Sequence, residues 1–154
     1  MGDPWTNALK AESVAVTPAG TIAAVNVQAA LEGLAGGGIR TVNLAAATQT
    51  LTAAQSGAKF VGAADAVFTL PAAAAGTKGV WYEFETGALS AGVGLSISPA
   101  AVDHIRGNGL TSVDNKDLIN SGASDRLGDM VRLYCDGVDG WVIDSIIGTW
   151  AKEA

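Results

Sequence analysis

The chain has 154 residues, enough for one domain with appendages, and a formal net charge of −6. That sign argues against nucleic-acid binding, which needs clustered Lys and Arg to displace counterions, and against docking on anionic lipid. With 29 alanines, 20 glycines and 16% charged residues, there is little side-chain area to bury per residue, so a monomer would have a thin core and shared burial between subunits is a natural remedy.

Residues 1–16 lack a clean period, and Pro4 and Trp5 read either as part of an extended arm whose aromatic ring docks elsewhere or as part of a floppy terminus. The opening MGDPWTNALK carries an acid where a secretory signal needs positive charge, and no apolar run approaches the ~20 residues of a membrane span. A soluble chain made in a cytosol is expected. From Ser13 to Val16 the pattern is extended, and Thr17-Pro18-Ala19-Gly20 has turn chemistry. Asn26 is placed as an N-cap for a helix from Val27 to about Ala35. Val27, Ala30, Leu31 and Leu34 fall at i, i+3, i+4 and i+7 and make one apolar face. Gly33 weakens the helix and Gly36-Gly37-Gly38 ends it as a C-cap and hinge. About nine residues do not make a helix that stands alone in water, where ~12–15 are already marginal, so this one needs a partner.

After the glycines the period becomes two. Strands are expected at Thr41–Ala45, Gln49–Ala53, Lys59–Val61, Ala66–Leu70, Val80–Thr86, Leu95–Ser98, Met130–Cys135 and Trp141–Ile147. Gly, Pro, Asn and Asp punctuate them, which is the all-β signal of a small sandwich or barrel. In GVWYEFET the alternation puts Trp81 on the face opposite Tyr82 and Phe84. MVRLYCDGVDGWVIDSI reads as two strands joined in a hairpin around Asp136-Gly137 and Asp139-Gly140. His104 to Gly128 is a long polar excursion, with room for a short strand or a helical turn, and the expected variable surface. The organisation is therefore residues 1–38 as arm, turn and short helix with a glycine hinge, and residues 39–154 as the β domain.

No residue set assembles a catalytic motif. His104, the single histidine, reads as an ordinary surface or loop residue, and its neighbour Asp103 would face the other way on a strand. Cys135, the single cysteine, excludes an intrachain disulfide and shares the orientation of Val131 and Leu133, as a buried small hydrophobe would. Asp114, Asp117, Asp125 and Asp129 form a loose acidic series without calcium-loop spacing, and Asp136 and Asp139 are better explained by the turn. No metal ligands, cofactor or catalytic residues are assigned. Trp81, Trp141, Trp150, Tyr82 and Tyr134 could stack sugars, but such residues in strands more often fill a core or a subunit interface, and that reading is preferred.

VTPAGTIAAVNVQAALEGL resembles a phrase of tailed-bacteriophage fibre, head-fibre and capsid decoration proteins, where it precedes a β domain. The residues that carry the match are Thr17, Pro18, Gly20, Ile22, Ala23, Ala24, Val27, Gln28, Ala29, Ala30, Leu31 and Leu34. Thr69–Gly76, Gly128–Val142 and Gly148–Trp150 resemble the strand-turn, closing hairpin and terminal strand of small virion β domains. Gly33 departs from the charged or polar helix former usual there, and the expected closing strand with no long shaft after it would be short for a tail fibre.

The resemblance implies a homotrimer with Val27, Ala30, Leu31 and Leu34 at the three-fold contact. The phrase does not say which part of the virion; the preferred reading is a capsid decoration protein (head auxiliary protein or short head fibre) that binds the phage major capsid protein on the outer capsid surface and stabilises the shell. Such a protein would be made in the host bacterial cytoplasm and reside in the virion. The arm, with Pro4, Trp5, Leu9, Val14 and Val16, is the expected capsid contact. A receptor- or glycan-binding module of a tail fibre is the alternative, with a host-surface glycan as partner, and a depolymerase fragment is a remote third. No enzymatic activity is expected.

Overall fold

The computed structural model describes residues 42–44, 48–62, 65–89 and 94–154, the first three as backbone only. Eleven strands arise there: β1 (Val42–Leu44), β2 (Thr48–Thr50), β3 (Lys59–Gly62), β4 (Val67–Thr69), β5 (Trp81–Thr86), β6 (Leu95–Ser98), β7 (His104–Arg106), β8 (Leu118–Asn120), β9 (Met130–Cys135), β10 (Gly140–Ile147) and β11 (Ala151–Lys152). They form two sheets. The first runs β1-β3-β5-β9-β10-β7 and the second β11-β8-β6-β4-β2. The protein is all-β over these residues, and among them no helix is long and apolar enough to cross a membrane.

The chain changes sheet at every step from β1 to β8. Successive passes lie parallel: β1 on β3 on β5 in one sheet, β2 on β4 on β6 in the other. Parallel neighbours need a crossover connection, usually a helix. Here the intervening strand of the opposite sheet is the crossover, which is how a helix-poor sequence builds parallel pairs. The second half closes the coil differently. β8 pairs antiparallel with β6, β9 antiparallel with β5, and β10 returns along β9 as a hairpin.

Alternation decides which side chains go inside. Phe60 from β3, Phe68 from β4, Tyr82 and Phe84 from β5 and Trp141 from β10 are all fully buried between the sheets. Their ring centroids lie 5.0–6.3 Å apart, from Phe68–Phe84 at 5.0 Å to Tyr82–Phe84 at 6.3 Å. Such pairs add about 0.5–1.5 kcal/mol each beyond their buried area. Leu51, Leu95, Ile97, Ile105, Leu118, Val131, Leu133, Cys135 and Trp150 fill in around them. An alanine-rich chain thus concentrates its core in a few large rings. Their polar atoms are satisfied: Tyr82 Oη donates to the Thr52 carbonyl at 2.7 Å and Trp141 Nε1 to that of Pro71 at 3.3 Å.

The eight expected strands appear as β1–β6, β9 and β10, most within two residues at each end. The expectation that the second reaches Ala53 is corrected. The strand stops at Thr50, and Ala53–Gln55 form a 3-10 turn in which the Thr52 backbone N–H donates to Gln55 Oε1 at 2.9 Å. The excursion from His104 to Gly128 contains two strands, β7 and β8.

A buried polar knot ties the sheets at one end. Thr86 Oγ1 at the end of β5 donates to Asn120 Oδ1 of β8 at 2.8 Å. Asn120 Nδ2 donates in turn to Asp129 Oδ2 and to the Thr149 carbonyl, both at 2.9 Å. The Thr86 N–H donates to the Asp129 carbonyl at 2.8 Å. Gly148, at φ +87°, sits so close to the Asp129 carboxyl that a Cβ there would overlap it.

Candidate binding face

The side chains that point away from the core of the first sheet form its outer face. Register aligns Trp81 of β5 with Tyr134 of β9, Tyr134 with Val142 of β10, and Val142 with Arg106 of β7. A second row runs Lys59, Glu83, Arg132, and a third Val61, Glu85, Met130, Ile147. The sequence dictates this face as directly as the core, since Tyr82, Phe84, Leu133 and Cys135 occupy the alternate positions.

Glu83 is 1% exposed although it lies on the outer face. A carboxylate there needs partners, and Arg132 supplies them, with Nη2 at 2.8 Å and Nε at 3.3 Å from Oε2. Lys59 Nζ lies 3.6 Å from Glu83 Oε1 and also pairs with Glu85. Arg132 packs its guanidinium over the Trp81 ring, 5.3 Å from the centroid, a cation–π contact. The remaining nitrogen, Nη1, faces Asp144 Oδ2 across 3.6 Å. A register shift between Ile143 and Ser145 turns Asp144 outward, the usual effect of a bulge on a side chain.

A second polar line follows the β7 edge. Arg106 Nη2 donates to Asp136 Oδ2 at 2.7 Å, and Arg106 Nη1 lies 3.1 Å from His104 Nε2. Arginine only donates, so His104 Nε2 is the acceptor in that contact, and Nδ1 faces Asp114 Oδ1 at 3.5 Å. Asp136 Oδ1 accepts the N–H groups of Val138, Asp139 and Gly140 at 2.8, 2.9 and 3.1 Å. Burial alone would raise the Asp136 pKa. The bonds from Val138, Gly140 and Asp139, with the Arg106 charge, outweigh it and hold the carboxyl below its ordinary value. Its charged form is therefore a structural part of the hairpin. Gly140 completes the corner, because a Cβ there would overlap the His104 carbonyl of the adjoining parallel strand.

The residues weighed from sequence are dispersed over the fold. Cys135 is buried, with Sγ 3.4 Å from Thr77 Oγ1. His104 belongs to a strand and is held in the line just described. Asp103, on the opposite face, is buried and accepts the Ala73 N–H at 2.7 Å. Of the acidic series, Asp114 faces His104, Asp117 accepts from Ser96 Oγ at 2.6 Å, and Asp129 belongs to the polar knot. Asp125 is also buried. No three potential metal ligands converge among the described residues. Of the five aromatics, Tyr82, Trp141 and Trp150 are core residues, while Trp81 and Tyr134 stand outside.

The expected capsid-contact residues Pro4, Trp5, Leu9, Val14 and Val16 lie outside the described residues, as do the expected trimer-contact residues Val27, Ala30, Leu31 and Leu34. Sequence reasoning placed Trp81 on its face but missed the Lys59–Glu83–Arg132–Asp144 cluster. The alternation marks each of the first three as outward-facing, yet only the strand order brings them together. No protein-family model and no curated protein matches the chain.

Proposed function

We propose that the chain is a capsid decoration protein of a tailed bacteriophage, acting by binding as a homotrimer on the outer capsid surface. The observation that carries this reading is the order of its parts. The phrase from Thr17 to Leu34 and the glycines Gly36–Gly38 are followed within a few residues by β1. The segments that resemble virion β domains fall on coherent pieces of the fold. Thr69–Gly76 spans the end of β4 and the turn after it, the aromatic strand is β5, and Gly128–Val142 covers β9, the turn and the start of β10.

In this reading the helix face of Val27, Ala30, Leu31 and Leu34 is buried against its two copies, which gives so short a helix the partner it needs. The arm around Pro4 and Trp5 contacts the shell. Three arms per trimer add avidity, and a protein that binds only the assembled shell raises the stability of that shell by mass action.

The test is co-sedimentation with capsids lacking the protein. The full chain should bind saturably, and a chain without residues 1–12 should remain folded and fail to bind. Equal binding by both would remove the arm from the mechanism. Capsids that ignore the full chain, while cells retain it, would favour the tail-fibre alternative.

A further inference from the structure

We propose that the outer face of the first sheet, centred on Trp81 and Tyr134, is a binding site for a neutral glycan. The inference does not rest on the capsid reading, since it uses only residues of the β domain. Three observations converge on it. First, Trp81 and Tyr134 are directly opposed on β5 and β9, so two aromatic residues share one stretch of the outer face. Tyr134 is 40% exposed. Trp81 is half-buried: the Arg132 guanidinium lies over its ring, and Gly57, in the turn before β3, leaves the Cζ2 edge without a covering side chain. Tyr134 offers its ring to the C–H face of one sugar unit, and the uncovered edge of Trp81 offers apolar contact to the next.

Second, polar groups for hydroxyls stand one outward position away, at about 7 Å along the strand. Arg132 spends Nε and Nη2 on Glu83, which fixes the guanidinium. Its Nη1 and the outward Asp144 carboxylate stay 3.6 Å apart, farther than a good hydrogen bond. A sugar hydroxyl can bond to both, accepting from Arg132 and donating to Asp144.

Third, charge selects the ligand. Arg132, Lys59 and Arg106 each face an acid, in Glu83, Glu85 and Asp136, and Asp144 adds a further negative charge. Among the described residues of these rows, no lysine or arginine is left without a facing acid to draw a polyanion. Ion pairs interrupting the rings also disfavour a protein partner, because charged residues are depleted from interface cores.

The test uses the full chain with maltoheptaose, cellohexaose, chitohexaose, mannohexaose and dextran as neutral probes, and heparin and polygalacturonate as polyanions, by titration calorimetry. At least one neutral probe should bind saturably, and Tyr134→Ala should weaken it about tenfold or more while the circular dichroism spectrum is unchanged. Trp81→Phe should retain part of the binding, and Asp144→Asn should weaken it without altering the melting temperature. Several results would overturn the proposal: silence from every neutral probe, binding of the polyanions alone, or affinity indifferent to Tyr134→Ala. A change in oligomeric mass caused by Tyr134→Ala would also overturn it, by showing this face to be a contact between copies.

Discussion

Tyr82 shows how a single buried atom sets a pH limit on the fold. Burial first, and the neighbouring Cys135 second, push its phenol up to about 12 from the ordinary 10. The folded state thus holds the proton more tightly than the unfolded chain. The stabilisation is intact below pH 10 and is lost as pH rises from about 10 to about 12, amounting to roughly 2 kcal/mol across the window. The melting temperature should fall in that interval. In Tyr82→Phe the fall should be shallower, and the variant should start about 1 kcal/mol less stable because the Thr52 carbonyl loses its donor. Asn120 gives a second residue-scale test with the opposite pH sense. Asn120→Asp replaces the donor facing Asp129 Oδ2 with a second carboxylate. It should cost about 3 kcal/mol or more at pH 7, with partial recovery at pH 4–5 as acid neutralises one of the pair, measured by urea midpoints at the two pH values.

At the scale of elements, what was legible in the sequence follows from how long a run of alternation surrounds each strand. β5, β9 and β10 have six to eight residues and display their alternation openly, so both their existence and their inward faces could be read. The hairpin between β9 and β10 was legible from its Asp and Gly residues, because turn chemistry is local. β1, β2 and β4 have three residues each but stand in longer alternating runs, whereas β7, β8 and β11 are as short or shorter and lie in or beyond the polar, turn-rich stretch from His104, where no such run marks them. The sheet-switching order of β1 to β8 was not legible at all. A period of two says which face a side chain takes, not which strand lies beside it. That is why the outward positions of Trp81 and Arg132 could be anticipated while the cluster around Glu83 could not. The helix expected at Val27–Ala35 has its own test. Leu31→Asp puts a charge in the centre of the proposed three-chain contact and should dissociate the trimer, read as a threefold drop in mass by light scattering. An unchanged mass would assign the oligomer to the β domain alone.

At the scale of the whole molecule, composition and fold bear on one question, how a chain so rich in alanine and glycine achieves a stable, displayed surface. Within the described residues the answer is a core of stacked and tilted rings between two sheets, closed at one end by the Thr86–Asn120–Asp129 knot. The face left outside is organised by ion pairs around Glu83 and edged by the Asp114–His104–Arg106–Asp136 line. In the proposed decoration role this is the domain that the shell would carry. The most direct measurement is the number of copies bound per capsid when shells lacking the protein are titrated to saturation. The account predicts saturation at a multiple of three copies per site, with the temperature of shell rupture rising until the sites are full and then levelling. Binding that never saturates, or a rupture temperature unmoved by the protein, would contradict it.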